Sequence, residues 1–149
     1  MPAMTIRWLS IAIITLCGLL TACMHGQMAG LPRPVPNEPV GEVVVIRTSS
    51  VVGATNSYLI TIDGRRAWGL RVGEYARVKI GVGAHRVGVE CFGGWAPIWR
   101  ESGAAEFRLE PDRTSYLLVA PDLTCASIKA ITEEEGRDWI SRSKPLAQE

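Results

Sequence analysis

The chain predicts an all-β fold, an antiparallel two-layer β-sandwich of seven to eight strands closed by a short C-terminal helix. Three observations carry the prediction. From Gly41 onward, apolar runs of five to seven residues recur between turn residues at the regular spacing of sandwich strands. These runs are rich in Val, Ile and aromatic residues, which suit a pleated surface. No helical pattern separates them, whereas a parallel sheet would need intervening helices.

The expected strands are Glu42–Arg47, Ser57–Ile62, Arg66–Leu70, Tyr75–Ile80, His85–Cys91, Ala104–Leu109, Ser115–Ala120 and Ala126–Ile131. Asp63-Gly64 joins the second and third as a tight hairpin, because both residues tolerate positive φ. The Gly81–Ala84 and Pro111–Arg113 stretches read as further turns. In Tyr75–Ile80, Tyr75, Arg77 and Lys79 share a wet face opposite Ala76, Val78 and Ile80. Ser115–Ala120 is apolar on both faces and therefore belongs in the middle of a layer. Thr132 followed by Glu133, Glu134 and Glu135 reads as an N-cap and an acidic first turn, and Trp139 and Ile140 give that helix an apolar contact. Gly136 costs it about 1 kcal/mol relative to Ala.

A formal net charge of +1 on 149 residues gives no electrostatic reason to expect nucleic acid as a partner. The apolar residues are unevenly spread. Leu9–Leu20 is an uncharged run of twelve behind Arg7, too short to span a bilayer and of the right length for the apolar region of a secretory signal. It ends in Leu20-Thr21-Ala22-Cys23, which resembles the lipobox of bacterial lipoproteins. The resemblance implies cleavage before Cys23, acylation of its sulfur and new amino terminus, and a lipid bilayer as partner. Met24, in place of the Asp that resembles an inner-membrane retention signal, implies the periplasmic leaflet of the outer membrane. The expected organisation is a signal over 1–22, a tether over 23–40, the domain over 41–144 and a tail over 145–149. Pro32, Pro34, Pro36 and Pro39 make the tether extended, able to stand the domain up to about 50 Å from the membrane.

Cys17 leaves with the signal and Cys23 is acylated, so Cys91 and Cys125 remain for one disulfide in an oxidising compartment. A metal site from Cys91, Cys125 and His85 is the alternative, without any CxxC or HxxxH spacing to support it. His85 is expected to hydrogen-bond locally, since no nucleophile motif, paired carboxylate or phosphate-binding glycine loop accompanies it. No cofactor is expected. Two features could bind a partner. Phe92–Trp99 is an aromatic loop in which Trp95 and Trp99 offer large amphipathic surfaces, and whose glycines and proline oppose a regular strand. Charge is also asymmetric along the chain: six bases against three acids over 63–90, Arg65 and Arg66 among them, and nine acids against four bases over 101–138.

Tyr58–Gly64, Gly73-Glu74-Tyr75, the glycine turn into His85–Val89, and the late Arg113–Val119 strand together resemble an uncharacterised family of bacterial envelope lipoprotein domains, domain-of-unknown-function family 2846. Val82 stands where that family usually has Pro. The resemblance spans Glu42 to Ser143 and implies an antiparallel β-sandwich, but lends no catalytic residues. The combined expectation is a non-enzymatic envelope lipoprotein that binds or scaffolds another envelope component. A glycan- or lipid-binding module is the alternative, and a hydrolase the less favoured one.

Overall fold

The computed structural model describes residues 26–27, 31, 33–50, 57–93, 98–123 and 125–146. The expected signal segment, Cys23 and Trp95 lie outside the described residues. Among these residues ten strands and one helix follow in order: β1 Gly26–Gln27, β2 Val40–Arg47, β3 Tyr58–Ile62, β4 Arg65–Leu70, β5 Glu74–Gly81, β6 Gly83–Gly93, β7 Ile98–Leu109, β8 Thr114–Pro121, β9 Ala126–Ile131, α1 Glu133–Ser141 and β10 Lys144–Pro145. All eight expected strands are present, and two short ones join them. The sheets are β1-β4-β3-β6-β7 in front and β10-β5-β2-β8-β9 behind.

From β2 to β8, even-numbered strands run toward one end of the sandwich, and odd-numbered strands from β3 to β9 run back. We call the first the loop end and the other the turn end. There β2, β4, β6 and β8 finish and β3, β5, β7 and β9 begin. Most pairings are antiparallel, but β8 lies parallel to β2, with Val43 opposite Ser115 and Arg47 opposite Val119. A parallel pair needs a long crossover, and here the chain from Thr48 to Arg113 supplies it by building most of the front sheet.

Alternation along the strands separates two apolar regions. Val43 and Val45 of β2 join Leu117 and Val119 of β8, Ile60 and Ile62 of β3, Trp68 of β4 and Val87 and Val89 of β6 between the sheets. Val44, Ile46 and Leu118 face outward from the back sheet, where Tyr116, Trp139 and Ile140 pack against them. The helix thus forms a third layer, which explains why β2 and β8 are apolar on both faces. Arg77 and Lys79 are exposed on β5 while Ala76 and Ile80 are buried, as alternation requires.

Local chemistry closes each element. Asp63 and Gly64 have φ of 50° and 76°, the doubly left-handed pair that a tight hairpin demands. Thr132 caps α1 in a capping box: the Glu135 N–H donates to the Thr132 hydroxyl at 3.2 Å, and the Thr132 N–H donates back to the Glu135 carboxylate at 3.0 Å. Gly136 is buried against β8. A Cβ there would overlap the Tyr116 ring and come within 2.9 Å of Tyr116 Cβ. Gly136→Ala is therefore expected to destabilise by about 1–2 kcal/mol despite its gain in helix propensity, because overpacking outweighs it. A rise in the urea midpoint would contradict this.

Two expected boundaries move. Gly26 pairs with Gly69 and Gln27 with Trp68 of β4, and Leu31 packs against the core, so part of the 23–40 segment lies along the domain instead of standing it off. At the other end Pro145 pairs with Tyr75, and Leu146 is buried in the core, so the domain reaches past 144.

Candidate functional site

The loop end carries the densest set of buried polar chemistry. Arg47, the last residue of β2, shares its strand face with Val43 and Val45 and is buried between the sheets. Its Nη1 donates to the Leu70 carbonyl at 2.7 Å, and its guanidinium lies 3.8 Å from the centre of the Tyr58 ring. Burial pulls this guanidinium below the usual arginine range, with Tyr58 and then Glu74 opposing the shift. The Tyr58 hydroxyl in turn donates to the Cys125 carbonyl at 3.1 Å. The Cys91 and Cys125 sulfurs stand at disulfide distance, with Cα atoms 6.4 Å apart, and tie β6 of the front sheet to the start of β9 behind. Beside them the Ser102 hydroxyl donates to the Ala126 carbonyl at 2.6 Å and lies 3.5 Å from Cys91 Sγ. The polar groups of this end are thus linked from β4 through Arg47, Tyr58 and Cys125 to β7.

Trp99 sits at the start of β7, opposite Phe92 of β6, and is half-buried. Pairing continues through Gly93 and Ile98, so the expected eight-residue irregular loop shortens to a connection over 94–97. The register shift between Val89 and Glu90 leaves Ser102 of β7 without an opposite residue, as in a bulge. Leu123, between β8 and β9, is fully exposed at the same end.

The other sequence-marked residues lie elsewhere. Arg65 and Arg66 begin β4, at the turn end, where Arg66 Nη2 is 3.2 Å from Glu90 Oε2. Ile62 pairs with both Arg65 and Val87, and Val87 lies five residues along β6 from Phe92, about 16 Å by strand rise. Trp99 and the two arginines therefore do not form one site. Part of the charge asymmetry along the chain is paired across strands. Arg86 forms a bidentate pair with Glu101 on the adjacent strand, so the basic and acidic halves interleave on the front sheet's outer face.

His85 is at the turn end too. Its Nδ1 is 2.9 Å from Asp63 Oδ2 and its Nε2 is 2.8 Å from the Gly81 carbonyl, while Asp63 Oδ1 accepts from the Arg86 N–H at 2.9 Å. The histidine ties the β3–β4 hairpin to the β5–β6 corner, and both ring nitrogens are occupied. Six residues of β6 separate it from Cys91, about 20 Å, so the alternative metal site from Cys91, Cys125 and His85 is not assembled. Among the described residues no group of three or more His, Cys, Asp or Glu side chains is placed to hold a metal ion.

Two carboxylates are held acidic by their partners. Hydrogen bonding to Arg86 keeps Glu101 below the ordinary value of 4.5, and the Thr132 backbone N–H, then its hydroxyl, do the same for Glu135. A depressed acid contributes stability that is complete above its unfolded pKa and is lost as pH falls through its lower folded value. The urea midpoint is expected to fall on acidification below about pH 4, and less steeply in Glu101→Gln. Equal slopes in both proteins would contradict this.

Arg47 is the residue that motif searching misses, because it belongs to no recognised pattern, and the Tyr58–Gly64 stretch gives no sign that Tyr58 meets a buried cation. The parity of Arg47 with Val43 and Val45 is the signal that places it inside. Comparison of the chain with protein-family models, with curated proteins and with solved structures found no match.

Proposed function

We propose that this chain is a bacterial envelope lipoprotein, anchored through acylated Cys23, whose β-sandwich is a non-enzymatic binding or scaffolding module. The observation that carries the reading is Leu20-Thr21-Ala22-Cys23 directly after an uncharged apolar run. Two or three acyl chains hold a protein firmly where one does not, since each buried CH₂ contributes about 0.8 kcal/mol. The Cys91–Cys125 pair fits an oxidising compartment such as the periplasm. Engagement of both His85 nitrogens favours a structural over a general-base role for that residue. Met24 favours the outer membrane's periplasmic leaflet.

Expression of Cys23→Ala followed by membrane fractionation tests the anchor. The wild type is expected in the membrane pellet and the variant in the soluble fraction or retained as uncleaved precursor. A processed variant that still pellets would overturn the proposal.

A further inference from the structure

We propose that the loop end of the sandwich rests on the bilayer surface, with Leu123 and Trp99 at headgroup level, so that the membrane itself is the partner of this end. The inference rests on the acylation of Cys23 proposed above and adds to it an orientation. It follows from reach. Gly26 is paired with Gly69, one residue from the end of β4, and β1 runs antiparallel to β4. Gly26 is thus the loop-end residue of β1 and the described residue nearest to Cys23 in sequence.

Cys23 is three residues earlier and can lie no more than about 11 Å from Gly26 at full extension. The turn end at Gly64 is five residues down β4 from Gly69, about 17 Å away, and out of that reach. An acylated Cys23 must sit at the membrane interface, so the loop end is drawn to it.

The side chains at this end suit that position. Val35 and Leu123 are the large apolar residues that stand exposed among the described ones, and Leu123 belongs to the loop end. Trp99 is a half-buried indole at the same end, the side chain that favours the boundary between headgroups and hydrocarbon. Arg71, Arg100 and Lys144 are exposed there and can meet anionic headgroups, although Asp122 is exposed among them. At the opposite end the exposed Glu133, Glu134 and Glu135 of α1, with Glu110 and Asp112, stand among exposed Arg65, Arg66 and Arg113, so the orientation is set by reach and not by charge alone.

The test uses the full acylated protein in vesicles of phosphatidylethanolamine and phosphatidylglycerol, labelled with a fluorophore at S49C at the loop end or at E134C at the turn end. Both native residues are exposed. In vesicles that have been floated, the label at 49 is expected to lose most of its quenching by aqueous iodide and to gain quenching by lipids carrying a nitroxide near the headgroup. The label at 134 is expected to keep its iodide quenching. Protein that floats with both labels equally open to iodide would overturn the orientation and leave the anchor standing. Protein that does not float and carries no acyl mass at Cys23 would overturn both.

Discussion

A Cys91→Ser/Cys125→Ser double variant is expected to lose about 3–4 kcal/mol of stability, the chain-entropy value for releasing a closed loop of this length. The sequence separation is 34 residues, and the bond is placed to join the front sheet to the back one. It also stands beside Ser102 at the loop end, and Cys125 is two residues from exposed Leu123 in sequence, so its loss should loosen the loop end first. Urea unfolding of oxidised wild type, reduced wild type and the double variant checks this. The last two should unfold at similar, lower urea concentrations. Indifference of the wild type to reductant would show that the pair contributes nothing to the fold.

Arg47→Ala is the second large effect, expected at about 2–4 kcal/mol. The substitution leaves the Leu70 carbonyl without its donor, which costs about 1–3 kcal/mol for a buried acceptor. It also removes the cation from the Tyr58 ring, and a desolvated contact of that kind contributes about 2 kcal/mol. Part of this is offset, because the alanine variant no longer keeps a guanidinium out of water. Arg47→Met preserves most of the volume and relieves the same desolvation, so it should cost less than Arg47→Ala. If the two variants unfold at the same midpoint, packing does not matter at this position and the polar contacts carry the whole effect. If neither moves the midpoint, the buried cation is not a structural element.

Much of the fold is legible in the residues because alternation is a local property. The eight long strands, the Asp63-Gly64 hairpin and the Thr132 cap each depend on side chains within a few positions of one another. What escapes local reading depends on distant partners. Gly26-Gln27 has no strand character of its own, and becomes a strand because β4 offers it an unpaired edge. The parallel β2–β8 pair is invisible for the same reason, since its two members lie far apart in sequence, with most of the front sheet between them.

Gly136 shows the limit from the other side. Read locally it is a weak helix residue, yet the Tyr116 ring on β8 leaves no room for a Cβ. Trp99 and Arg66, two separate sequence features that could bind a partner, stand at opposite ends because the β3–β4 connection lies at one end of the front sheet and the β6–β7 connection at the other. A charge at a strand end is ordinarily solvated, and only the parity of Arg47 with Val43 and Val45 marks it as buried.

Mass spectrometry of the N-terminal peptide from membrane-extracted protein tests the proposed acylation of Cys23 most directly. The expected result is a peptide that begins at Cys23 and carries the added mass of a diacylglyceryl group, with or without a third acyl chain on the amino terminus. A peptide that begins elsewhere, or begins at Cys23 with a free thiol, would contradict it.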